Sequence, residues 1–144
     1  MAGPIVCATR GGEVSRRTQE RAVELARERG VPVIFFFVVD VNFADHLNED
    51  LQKALIDEMS RLGRTLLSIA CYRAERSGVR ADTCVRQGTV GGTLQAYLTE
   101  VGASALVMGT PSPDSDHHSF QPEEVPAFAR KIEAETGIEV VIVH

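Results

Sequence analysis

Two hydrophobic rhythms alternate along the chain. Short runs that are apolar at nearly every position are separated by longer stretches in which apolar residues return every three or four positions. The first rhythm marks a strand covered on both faces and the second an amphipathic helix. Residues 4–9, PIVCAT, predict the first strand. After RGGE, the residues Thr18, Ala22, Leu25 and Ala26 fall at helical spacing, with Ser15 as N-cap and Gly30 as the stop. Residues 31–40, VPVIFFFVVD, are apolar almost throughout and predict a central parallel strand. A polar loop with Asn42, Asp45, His46 and Asn48 leads into the longest helix, from about Asp50 to Ser77, on which Leu51, Leu55, Met59, Leu62, Leu66 and Ile69 are expected to form the inward stripe. VRADTCVRQG then predicts a third strand, and TVGGTLQAYLTEVG a helix with Val90, Leu94, Tyr97 and Val101 inward. ASALVMG predicts a fourth strand, PAFARKIEAETG a helix with Phe128, Ala129 and Ile132 apolar, and IEVVIVH a fifth strand.

Strands alternating with helices over short connections imply an α/β fold, a doubly wound parallel sheet with helices on both faces. No linker or repeat divides residues 1–144, so a single domain is expected. In such a sheet a ligand lies beyond the carboxyl ends of the strands, where the strand order reverses. Those ends are Thr9-Arg10, Asp40-Val41, Gln87-Gly88 and Gly109-Thr110.

Composition narrows the partners. With 44% hydrophobic and 24% charged residues, and no apolar run long enough to span a bilayer, the chain reads as a soluble protein without a membrane partner. Its start, MAGPIVCATRGG, has no export signal, which gives a cytoplasmic expectation. The net charge of −5 and the absence of a basic run argue against nucleic acid. Cys7, Cys71 and Cys84 are scattered and odd in number, so they read as small buried hydrophobes rather than a disulfide framework or a metal site.

Several nucleotide folds fail at the loops. There is no GxGxxG after the first strand, no GxxxxGK[ST] run, and no acidic cluster of the receiver-domain kind, since Arg10 and Gln87-Gly88 stand at those places. What the residues do resemble is the universal stress protein family. IVCATRGGEVS is similar to its opening A-x-D-G-S-x-x-S, with Arg10 in place of the aspartate and Gly12 in place of the serine. VRQGTVGGTLQAYLTEVGASALVMGT is closer still to the middle of the family, and the resemblance covers essentially the whole chain. It implies strand order 3-2-1-4-5, the Rossmann-like topology of the adenine nucleotide alpha hydrolases, and a homodimer through the last strand, Val140, Val141, Ile142 and Val143.

Nucleotide-binding members carry G-x-x-G, nine residues, then G-S/T after the fourth strand. Here Gly109 keeps the first position, Ser112 takes the second, and Pro122-Glu123 take the distal pair. Pro111, Pro113, Pro122 and Pro126 donate no amide hydrogen bond, while Asp114, Asp116, Glu123 and Glu124 repel a triphosphate. Glu123 and Glu124 are placed to complement the dipole of the last helix themselves. The expectation is a stress-response or regulatory protein that does not bind ATP in the usual way and needs no cofactor. The alternative is a divergent nucleotide or small-anion binder using Thr9, Arg10, Gly11, Asp40, Gly88, Gly109 and Thr110. DSDHH, residues 114–118, has metal-ligand residue types but reads first as a solvated loop, and no metal is expected. Arg10 either holds an anion or pairs with Asp40. Ser15 and Thr18 read as cap and helix surface, and no acid, base and nucleophile set appears, so no enzyme is expected.

Overall fold

A computed structural model describes residues 2–9, 13–110 and 124–144. The sheet is five-stranded and parallel in the order 3-2-1-4-5, built from β1 (Ile5–Ala8), β2 (Val33–Asp40), β3 (Ala81–Gly88), β4 (Ala105–Gly109) and β5 (Glu139–Val143). Four helices make the crossovers, α1 (Glu13–Arg29), α2 (Glu49–Arg76), α3 (Val90–Val101) and α4 (Val125–Thr136). The resemblance implied this order, and the sequence pattern found each element to within a few residues.

Alternation along each strand divides the core in two. Ile5, Cys7, Val33, Phe35, Phe37, Val39, Ala105 and Val107 point to one face, where Ala22, Leu25 and Ala26 of α1 and Leu67, Ala70 and Ala74 of α2 cover them. Val6, Phe36, Leu106 and Met108 point to the other, beneath Leu94, Tyr97 and Leu98 of α3 and Val125, Phe128 and Ile132 of α4. Strands with both faces covered need no polar positions, which is why VPVIFFFVVD shows no alternation. On the second face Phe36 and Tyr97 stack, with centroids 4.3 Å apart and planes 6° from parallel.

The long helix departs from the expected phase. Leu51, Leu62 and Ile69 are 55%, 49% and 45% exposed, and Leu55, Met59 and Leu66 are only half-buried. The face turned to the sheet carries Ser60, Gly63, Leu67, Ala70 and Ala74 instead. Small residues let the helix axis come close to β2 and β3, so packing distance rather than side-chain size selects the buried face.

Three smaller corrections concern caps and cysteines. Helix α1 starts at Glu13, which places Ser15 inside its first turn rather than at the N-cap. Thr18 is 1% exposed, so it is core and not helix surface. Cys7 is fully buried, whereas Cys71 and Cys84 are half-buried. The polar loop after β2 is itself ordered by side chains. Asp40 Oδ1 accepts from the Asn42 amide at 3.0 Å, capping a 3-10 turn at Val41–Ala44, and Asn48 Oδ1 accepts from the Leu51 amide at 3.0 Å to cap α2.

Candidate functional site

The reversal point of the sheet lies between β1 and β4, and strand register fixes what surrounds it. Ala8 is level with Phe36 on β2 and with Met108 on β4, so Thr9 and Gly109 stand side by side one residue further on. Asp40, paired with Gly88 on β3, ends β2 four residues beyond Phe36. At about 3.3 Å per strand residue, Asp40 and Gly88 rise about 10 Å above the level of Thr9 and Gly109. The crevice is therefore stepped, with Thr9, Gly109 and Thr110 at its floor and Asp40 and Gly88 on a higher wall.

The polar side chains of that set, on Thr9, Asp40 and Thr110, already have protein partners. The Thr9 hydroxyl accepts a hydrogen bond from Gln19 Nε2 at 2.8 Å, with both residues buried. The Thr9 amide donates to the Phe36 carbonyl at 3.0 Å. Asp40 is engaged by the Asn42 amide. Thr110 donates its amide to the Val143 carbonyl at 3.0 Å, and its hydroxyl lies 3.2 Å from His144 Nδ1. Gly88 has a φ of 150°, and a Cβ there would collide with the Thr93 hydroxyl, so the β3 to α3 turn requires glycine.

Sequence reasoning named Thr9, Asp40, Gly88, Gly109 and Thr110, and the fold brings them to one end of the sheet in two tiers. It missed Gln19 and His144. Gln19 is ten residues from Thr9 and one helical position from Thr18, so only the phase of α1 signals it. His144 was legible in principle, because in-register pairing of Gly109 with Val143 puts the next residues, Thr110 and His144, side by side. Arg10, Gly11 and the proline-rich and DSDHH segments lie outside the described residues, as does the proposed pairing of Arg10 with Asp40. Glu124 sits at the N-cap of α4 but makes no side-chain cap bond, and Pro126 occupies the first turn. Among the described residues no group of three metal-ligating side chains converges. No helix among them is long and apolar enough to cross a membrane.

Away from the crevice, a cavity of about 360 Å³ opens between α1 and α2, floored by Val23 and Ala70 and rimmed by Arg16, Arg27, Arg73, Glu20 and Glu24. Arg27 donates to the Ser77 carbonyl at 2.8 Å, and Arg16 pairs with Glu20 at 3.5 Å. On the opposite face Tyr97 is held between Phe36 and the Arg86 guanidinium, which lies 4.9 Å from the ring centroid and pairs with Glu100 at 2.7 Å. Burial, and then the neighbouring Cys84, push the Tyr97 phenol up to about 12.

Solved structures share this architecture. Universal stress protein UspA from Lactobacillus plantarum superimposes with a TM-score of 0.80 at 14% identity, covering 99% of this chain and 97% of that one. A protein of the same family from Burkholderia pseudomallei gives 0.73 at 21% identity, over 98% and 95% of the two chains. The universal stress protein from Archaeoglobus fulgidus in complex with dAMP gives 0.65 at 18% identity, over 100% and 98%. Comparison with curated proteins finds no match. The model of the universal stress protein family matches residues 1–120, which include four of the five strands and the whole stepped crevice, and the chain belongs to that family.

Proposed function

We propose that this chain is a stress-response protein of the regulatory kind, acting through protein contacts rather than through bound ATP. One observation supports this above others: the described polar groups at the crevice, on Thr9, Asp40 and Thr110, are engaged by Gln19, Asn42, Val143 and His144. A phosphate bound there must displace these bonds or find donors elsewhere. The sequence of the following loop is a poor source of donors, with Ser112 and Pro122-Glu123 at three of the four signature positions and prolines around them. The test is calorimetric titration of the purified chain with ATP, alongside native mass spectrometry of the protein as isolated. The reading expects no heat at micromolar nucleotide and an unliganded mass; a stoichiometric adenine nucleotide in either measurement overturns it.

A second reading has its own support. The dAMP complex of a structural neighbour uses the same fold, and a step of about 10 Å between Thr9-Gly109 and Asp40-Gly88 suits a nucleoside-sized ligand better than a lone inorganic anion. On this reading Thr9, Arg10, Gly11, Asp40, Gly88, Gly109 and Thr110 hold a nucleoside monophosphate or similar anion. Saturable binding of dAMP that is lost in Gly88→Val, with ATP still inert, favours it over the first.

A further inference from the structure

Among the described residues, the large apolar side chains left exposed are Leu51, Leu62, Ile69 and Tyr72, and all of them belong to α2. With the half-buried Leu55 and Leu66 they are spaced 4, 7, 4, 3 and 3 residues apart, the period of one helical stripe. This stripe lies about a third of a turn round the helix from the face that packs on the sheet. It is a second apolar face on a helix about 42 Å long, and scattered surface leucines do not fall into such a line.

The charges of α2 identify what fits it. Its first half carries Glu49, Asp50, Asp57 and Glu58 against Lys53 and Arg61, whereas its second half carries Arg64, Arg73 and Arg76 against Glu75. Beside Arg73 the cavity rim adds Arg16 and Arg27 of α1, with Glu20 and Glu24 of the same helix set among them. A helix acidic at one end and basic at the other, with an apolar line between, is complementary to itself when run antiparallel, and the helix dipoles then oppose as well. Parallel pairing sets like halves together.

We infer that α2 is an isologous interface between two copies of this chain, with the stripes packed antiparallel about a two-fold axis near Leu62. That register puts Leu62 against its own copy, Leu55 against Ile69 of the partner, and Leu51 beside the aliphatic stem of the partner's Arg73. It places the acidic first half over the partner's basic second half and the groove between its α1 and α2. The interface is distinct from the β5 edge, so a chain using both assembles beyond a dimer.

Cysteine cross-linking tests the register directly. In a Cys71→Ser, Cys84→Ser background, Leu62→Cys is expected to form a 62–62 disulfide under mild oxidation at least tenfold faster than Ser68→Cys, an exposed control off the stripe. The double variant Leu55→Cys, Ile69→Cys is expected to join 55 to 69 between chains, since within one helix those positions lie about 21 Å apart. Leu62→Glu places two carboxylates at the axis, and its mean mass by sedimentation velocity is expected to fall to half the wild-type value. Leu62 is half exposed, so the variant is expected to keep its fold, with circular dichroism as the check. Equal cross-linking of positions 62 and 68, or an unchanged mass for Leu62→Glu, overturns the interface; a 55–55 link in place of 55–69 overturns the antiparallel sense.

Discussion

Gly63 of α2 lies flat against the ring of Phe37 on β2. A Cβ built on this glycine would stand 2.7 Å from Phe37 Cδ1 and within 3.1 Å of two more ring atoms. Alanine normally gains about 1 kcal/mol over glycine inside a helix. Here that gain is outweighed, because the ring is buried between helix and strand and cannot swing away. Gly63→Ala is expected to lose about 1–3 kcal/mol of stability, as overpacked cores do. Denaturant unfolding measures it, and a stabilised variant shows that α2 has room to lift.

Two leucines five residues apart separate the packed face of α2 from its second face. Leu67 is fully buried, and its replacement by alanine is expected to cost about 2–5 kcal/mol. Leu62 is 49% exposed, and the same replacement, measured on dilute protein so that association does not contribute, is expected to cost less than about 1 kcal/mol. Equal losses at the two positions place the helix in another rotation.

That contrast shows what the sequence could and could not carry. Both faces of β1, β2 and β4 are covered, so their unbroken apolar runs announced parallel strands, and the glycines after α1, α2, α3 and α4 marked where the helices stop. The phase of α2 was illegible by hydrophobicity alone. Leu51, Leu55, Leu62, Leu66 and Ile69 outweigh Ser60, Gly63, Ala70 and Ala74 on any apolar scale, yet a helix laid on a sheet buries its small residues. Spacing held the missing signal, since 56, 60, 63, 67, 70 and 74 also form a stripe. At the crevice, strand ends located Thr9, Asp40, Gly88 and Gly109, because topology alone decides which end of a parallel sheet is functional. Gln19 and His144 were missed because each meets its partner, Thr9 or Thr110, through tertiary packing.

Tyr97 sets an alkaline limit on stability. Burial is the main cause of its raised value of about 12, against an ordinary 10.0, while Arg86 over the ring pulls weakly the other way. Between those values the unfolded chain releases a phenolic proton that the native chain keeps, so the native state binds more protons and stability falls as pH rises. The contribution is fully present below pH 10 and is lost as the pH passes through about 12. Cys71 adds to the same trend from about 9 to about 11, first through burial and then through its hydrogen bond to Glu75. In a Tyr72→Phe variant, phenolate absorbance reports Tyr97 alone, and a folded-state midpoint near 12 is expected. A midpoint near 10 shows that the ring is open to water.

The β5 edge is predicted to pair with the same strand of a second copy. Strand order places β5 at the rim of the sheet, and Val140 to Val143 are only half-buried. An apolar edge of this kind, which pairs with no second strand among the described residues, invites association. The direction of those groups follows from one hydrogen bond: the Val143 carbonyl accepts from the Thr110 amide, so Val141 and Val143 face β4, whereas Val140 and Ile142 turn their amides outward. Proline at the two positions therefore has different effects. Val141→Pro removes a donor to β4 and breaks the ladder within the chain, which is expected to destabilise the fold itself. Ile142→Pro removes an outward donor and leaves the β4 pairing intact, so it acts mainly on association, with a smaller loss from the Ile142 packing on the second core face. At the start of the strand Glu139 is held by Arg29 at 2.7 Å, which anchors β5 to α1. Because α2 supplies a second contact, the measurement belongs in a Leu62→Glu background. There the parent is expected to be a dimer by light scattering and the Ile142→Pro variant a folded monomer; a variant that remains dimeric places the contact elsewhere.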